Sequence, residues 1–252
     1  MAETASVPAI HAPSLLGQTV VVLGGSSGIG LATAQLARAE GAEVVLTGRN
    51  RERLDRAAEQ VGALSTAAFD STDFDRLSRF FAELPVPIDH VMVSGSGPYY
   101  APLPEIDLAE VRLDIERHLL LPIEVAREAV GRVRPGGSIV LIGGTGGRRN
   151  AVGLSAISAV TAGQPALTKN LALEIAPIRV NLIAAGFVDT PLSAQILGDQ
   201  LEARREQLRA TLPIGRVVGP EDVAALAVHV MANTALTGGT YDVDGGQQIT
   251  AG

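Results

Sequence analysis

Thr19-Val20-Val21-Val22-Leu23-Gly24-Gly25-Ser26-Ser27-Gly28-Ile29-Gly30 decides how this chain is read. A β-branched, aliphatic run ends in glycine, the mark of a short buried strand. Behind it a helical pattern covers residues 31–40, with apolar Leu31, Ala34, Leu36 and Ala37, and Gly41 stands where a helix stops. Strand, glycine turn and helix in that order suit a pyrophosphate, because backbone N–H groups and the helix N-terminus can approach it closely. The spacing is G-x-x-x-G-x-G rather than G-x-G-x-x-G. The reading is dinucleotide binding at Gly24, Ser26, Ser27, Gly28, Ile29 and Gly30; a sharp turn that binds nothing is the alternative.

Working outward, strand and helix patterns alternate. Strands are predicted at 43–47, 67–69, 90–93, 138–142, 179–183 and 239–243. Helices are predicted at 51–61, 74–84, one or two within 108–133, 166–176 and 220–231. This alternation predicts a single doubly wound α/β domain at 17–252, a parallel sheet with helices on both faces. Residues 1–16 read as a flexible arm. The longest irregular stretch is 187–216, a candidate lid, since ligands sit at the carboxyl ends of strands in such sheets.

Composition removes other classes. With 46% hydrophobic and 19% charged residues the chain has the means to build a core, so disorder is excluded. A net charge of −7 argues against a nucleic-acid groove. There is no cysteine, hence no disulfide and no thiolate. His11, His90, His118 and His229 form no metal-binding pair, so no metal site is expected, and His118 reads as a helix-surface or interface residue. No apolar stretch of about 18 residues is free of Gly, Pro or charge, so no membrane span is expected. A cytoplasmic location is the expectation, with no nucleic-acid or membrane partner.

The residues at the end of the predicted second strand, Thr47-Gly48-Arg49-Asn50, bear on the cofactor. An acid there would bind a ribose 2′-OH and repel a 2′-phosphate. Gly48 stands in its place and Arg49 follows, a guanidinium suited to pairing with phosphate, with Asn50 and the Ser27 hydroxyl nearby. The expectation is NADP(H), with NAD(H) less favoured. The alternative is that Arg49 is a solvated charge beside Glu52.

From about residue 16 to residue 246 the chain resembles the short-chain dehydrogenase/reductase family, with its Rossmann-type fold. The resemblance lies in the glycine loop, Asp70 after the third strand, Pro177-Ile178-Arg179-Val180-Asn181, Gly186-Phe187-Val188-Asp189-Thr190-Pro191 and Asp242-Val243-Asp244-Gly245-Gly246. It implies that Asp70 contacts the adenine and that Val188 and Thr190 hold the nicotinamide carboxamide. It implies also that the chain is a homo-oligomer, with a tetramer favoured. Ser94-Gly95-Ser96-Gly97 stands where the family carries Asn-Asn-Ala-Gly, which places Ser94 and Gly95 by the cofactor.

The family's catalytic pattern is absent. It uses a Tyr as acid/base with a Lys four residues later. The single lysine here is Lys169, preceded four residues earlier by Pro165 and seven earlier, as in the family's enoyl-reductase variant, by Ala162. Matching Leu167-Thr168-Lys169-Asn170 to the family's helix puts the Tyr position on Ile157, the Lys position on Thr161, the Ser position on Gly144 and the Asn position on Glu116. Gly163 and Pro165 predict that this helix is kinked or starts near Pro165. Candidate replacements are Tyr99 and Tyr100, as phenolic donors or as pocket lining, and Glu116, as acid/base if buried beside the cofactor. Arg148 and Arg149 are solvated loop charges or an anchor for an acidic substrate. Three functions stay open: an NADP(H)-dependent oxidoreductase with a rebuilt site acting on a small molecule, a non-catalytic NADP(H)-binding sensor or assembly subunit, and a lyase or isomerase on the same scaffold.

Overall fold

The computed structural model describes residues 14–85, 87–94, 97–148 and 150–250. Seven strands form one parallel sheet: β1 (Thr19–Leu23), β2 (Glu43–Gly48), β3 (Ser65–Ala68), β4 (Ile88–Val93), β5 (Val133–Gly144), β6 (Arg179–Ala185) and β7 (Thr240–Val243), in the order β3-β2-β1-β4-β5-β6-β7. The order reverses between β1 and β4. A crevice opens at the carboxyl ends of strands on either side of such a switch point, and that is where ligands bind.

The two-residue alternation of a strand divides the core into two layers. Val20, Val22, Val44 and Leu46 face helices α1 (Gly28–Ala39), α2 (Arg51–Val61) and α9 (Pro220–Ala232). Val21, Leu23, Val45 and Val91 face α3 (Phe74–Glu83), α5 (Leu121–Ala129) and α6 (Ser155–Glu174). Strands β1 and β2 are covered on both sides over nearly their whole length, which is why their sequences are near-continuous apolar runs rather than alternating. Among the described residues, no helix is long and apolar enough to cross a membrane.

Several boundaries depart from expectation. Leu15 is fully buried and its N–H donates to the Glu40 carbonyl (3.0 Å), so residues 14–16 belong to the fold and not to an arm. The third strand begins two residues earlier than predicted, and the fifth begins at Val133, because the chain pairs Ile88 with Val133 and then bulges before His90 pairs with Ser138. Residues 187–216 are not irregular. They hold α7 (Pro191–Leu197) and α8 (Leu201–Thr211), and α7 starts on a Thr190–Ser193 capping box with Pro191 in its first turn.

Helix α6 runs unbroken through Pro165, against the expected kink or late start. Proline in a helix interior costs about 3 kcal/mol. Here it is outweighed by a buried stripe on both sides of it: Ile157, Val160, Thr161, Gln164, Thr168 and Leu171. Between α4 (Leu108–Ile115) and α5 the chain makes a π-helical turn at Glu116–Leu120, with the Leu121 N–H donating to the Glu116 carbonyl. Pro122 has no N–H to offer the carbonyl of His118 one turn back. Gln164 Nε2 donates to that carbonyl instead, at 3.4 Å, and so ties the π turn to α6.

Candidate active-site cleft

A cleft of about 510 Å³ opens at the carboxyl ends of β4, β5 and β6. Its walls come from six parts of the fold. Ile29 belongs to the first turn of α1 and Val93 and Ser94 to the end of β4; Arg117, His118 and Leu121 come from the π turn and α5; Ile142–Gly146 end β5. Leu154, Ile157 and Thr161 stand on or beside α6, and Phe187, Val188, Thr190 and Leu192 come from the segment after β6 and α7.

The glycine loop forms the rim beside it. Gly24 to Ser27 turn between β1 and α1, and the Gly25 N–H donates to the Thr47 carbonyl (2.9 Å). A Cβ on Gly30 would lie 2.3 Å from the Gly24 carbonyl oxygen, so only glycine closes this turn. Ser27 is the N-cap of α1 but makes no side-chain capping bond, which leaves the first N–H groups of a twelve-residue helix and a hydroxyl for a ligand. Gly28 faces Thr190 across the mouth of the cleft. These donors fit a dinucleotide's phosphates.

The end of β2 approaches the loop closely. A Cβ on Gly48 would lie 3.0 Å from Ser26 Oγ, so Ser26 fills the space an acidic side chain would need to start from. Arg49 and Asp70 lie outside the cleft wall, with Arg49 Nη1 3.9 Å from Asp70 Oδ2 and side chains 65% and 47% exposed, a loose pair in water. Burial alone would raise the Asp70 carboxyl. Hydrogen bonds from the Thr72 N–H (3.0 Å) and hydroxyl (2.8 Å), with the charges of Arg49 and Arg117, outweigh it and hold the carboxyl below its ordinary value. Asn50 accepts from the Arg53 N–H (2.8 Å) as the cap of α2, so its carboxamide oxygen is in use. Ser94 lines the cleft, and its N–H donates to the Leu23 carbonyl. Val188, 7% exposed and bridged to Val218, and Thr190, whose hydroxyl caps α7, both line the cleft. Gly95 and Arg149 lie outside the described residues.

The candidate proton donors separate clearly. Tyr99 does not line the cleft: its hydroxyl accepts from the Asp107 N–H (3.0 Å) and donates to the Glu105 carbonyl (3.4 Å), pinning a surface turn. Tyr100 lines the cleft and is half exposed; partial burial, then the charge of Asp114, push its phenol above the ordinary value. Glu116 starts the π turn but stands off the cleft. Arg148 is also absent from the wall, because its guanidinium makes a bidentate pair with Asp242 on β7.

His118 is the residue that sequence reasoning misjudged. It is 8% exposed and lines the cleft rather than an outer surface. Its Nδ1–H donates to the Asp114 carbonyl (2.9 Å), which fixes the tautomer, and its Nε2 has no hydrogen bond among the described residues. The missed signal was Pro122. A proline four residues after a histidine strips that histidine's carbonyl of its helical donor and favours a distorted turn, the kind that often carries function. Arg117 beside it also lines the cleft and forms no hydrogen bond or ion pair among the described residues. On α6, Ile157 (3% exposed) and Thr161 (6%) line the wall, and the Thr161 hydroxyl donates back to the Ile157 carbonyl (2.8 Å). Lys169 is exposed on the same helix and away from the cleft.

Residues 24–248 match the family model described as enoyl-(acyl carrier protein) reductase. The chain is 30% identical to the short-chain dehydrogenase/reductase ATR9 of Stachybotrys chlorohalonatus, over 93% of this chain and 98% of that one. The structure of the MalC reductase/Diels-Alderase of Malbranchea aurantiaca superposes with a TM-score of 0.84 at 26% identity, covering 93% of this chain and 97% of that one. BdcA in complex with NADPH superposes with a TM-score of 0.82 at 26% identity, covering 92% and 95%. The chain belongs to the short-chain dehydrogenase/reductase family of oxidoreductases.

Proposed function

We propose that the protein is an NADP(H)-dependent oxidoreductase whose proton chemistry runs on residues other than a Tyr–Lys pair. The observation that carries the cofactor choice is the end of β2. Gly48 packed against Ser26 leaves no acid to reject a 2′-phosphate, and the Arg49 guanidinium stands open beside it, held only loosely to Asp70. NADPH in the related BdcA supports the same reading. When bound, the nicotinamide supplies or accepts hydride; the chain supplies position and protons. Gly24 to Gly30 hold the phosphates, Val188 and Thr190 flank the nicotinamide, and Ile157 with Leu154 excludes water from the wall. Of the cleft-lining groups able to move a proton, His118 has an Nε2 with no hydrogen bond among the described residues, whereas the Tyr100 phenol is a weakened acid.

Dissociation constants for NADPH and NADH at one ionic strength test the reading. NADPH is expected to bind tighter. Arg49→Ala is expected to remove roughly 1.5–3 kcal/mol of NADPH affinity, a charged hydrogen bond to phosphate, and little of NADH affinity. Tighter NADH binding overturns it.

A further inference from the structure

We propose that Arg117 is an anion-binding residue for the substrate, and that the cleft takes a mainly apolar compound carrying a carboxylate or similar anionic group. The inference rests on the oxidoreductase reading of the cleft and names the substrate class for it. In a chain of net charge −7, no aspartate or glutamate is among the described residues of this cleft wall, while Arg117, His118 and Arg204 are. Arg117 is partly buried, and no described carboxylate lies within ion-pair distance of it, although its charge is felt at Asp70. A partly buried arginine whose five donors find no acceptor among the described residues is a site for an anion from outside. Its neighbours across the wall, Leu121, Ile142, Leu154, Ile157 and Leu192, suit a hydrocarbon body. The π turn is what places Arg117 and His118, consecutive residues, both on the wall. An anion held there lies next to the one imidazole nitrogen without a hydrogen bond among the described cleft-lining residues, so the group that anchors the substrate also sets the distance from its reacting group to that nitrogen, which with Nδ1–H committed to Asp114 takes up a proton before it can give one.

Calorimetric titration of the full chain, saturated with NADP+, with hexanoate and its neutral isostere hexanamide tests the assignment. Hexanoate is expected to bind about tenfold or more tighter than hexanamide, the worth of one charged hydrogen bond. Arg117→Ala is expected to erase that difference, while hexanamide binding and NADPH affinity stay within about twofold, less than a weak neutral hydrogen bond is worth. Equal binding of the two probes to the wild type overturns the proposal. So does a loss of NADPH affinity in Arg117→Ala with the hexanoate preference intact, which would assign Arg117 to the cofactor. Failure of the wild type to bind NADP(H) defeats the oxidoreductase reading instead; the two probes, titrated without cofactor, then decide the anion site alone.

Discussion

His118 and Tyr99 show how one residue's partner decides its chemistry. Tyr99 spends its hydroxyl on the backbone of Glu105 and Asp107, while His118 Nε2 has no hydrogen bond among the described residues. Tyr99→Phe is expected to lower stability by about 1 kcal/mol, the net worth of such hydrogen bonds, and to leave turnover within a few-fold. His118→Gln is expected to lower kcat by about 10²–10⁴, the worth of a general acid/base group, with little change in NADPH affinity. Steady-state kinetics on a reducible ketone and NADPH titration check both. Full activity in His118→Gln would remove the imidazole from the mechanism. The Pro122 spacing marks a distorted turn at His118, but which way the polar atoms of either side chain point depends on the elements packed around them.

At the scale of elements, helix ends and helix interruptions carry the argument. The C-terminus of α9 is closed by Arg179, 6% exposed on β6. Its guanidinium donates to the carbonyls of Val230 (2.8 Å), Met231 (2.6 Å), Asn233 (3.1 Å) and Leu236 (3.1 Å), and to Gly136 (3.1 Å). A cation at that end also meets the negative pole of the helix. Burial lowers the pKa of Arg179, and among the described residues its charge is met by carbonyls with no carboxylate in ion-pair range. Arg179→Met is expected to cost about 3 kcal/mol or more, since charged hydrogen bonds are each worth roughly 1.5–3 kcal/mol and five carbonyls lose their donor. Urea denaturation measures it; a loss under about 1 kcal/mol, the worth of one neutral hydrogen bond, would contradict the cap. The π turn obeys the same logic, with Pro122 removing a donor and Gln164 supplying another from α6.

At the scale of the molecule, one buried base contributes to the loss of stability in acid. His90 lies in the middle of the sheet, where its Nε2–H donates to Gln18 Oε1 (2.6 Å) and the Ser138 hydroxyl donates to Nδ1 (2.8 Å). Burial, then the charges of Arg179 and Arg134, hold its pKa down at about 3. Above pH 6.5 the imidazole is neutral in both folded and unfolded chains, and stability is unaffected. As pH falls from 6.5 toward 3 the unfolded chain takes up a proton that the folded chain refuses, so stability drops, by at most about 1.4 kcal/mol per pH unit. Below pH 3 this contribution is constant. Chemical denaturation of wild type and His90→Gln at pH 7 and pH 4.5 is expected to show a steeper acid loss in the wild type; parallel curves would refute the assignment.

The sequence alone determined the parallel α/β fold, the glycine loop and the end of β2, because each depends on neighbours within a few residues. A strand's apolar run and a turn that only glycine can close are local facts. It also determined that no tyrosine stands four residues before the lone lysine, Lys169. Only the tertiary structure decided that α6 survives Pro165, that residues 187–216 fold into α7 and α8, and that Arg117 and His118 rather than Glu116 or Tyr99 face the cleft. Those outcomes depend on burial against distant elements. A stripe packed on β6, or a glutamine reaching across from α6, outweighs a local cost of about 3 kcal/mol that the sequence displays in full while its compensation lies elsewhere in the chain.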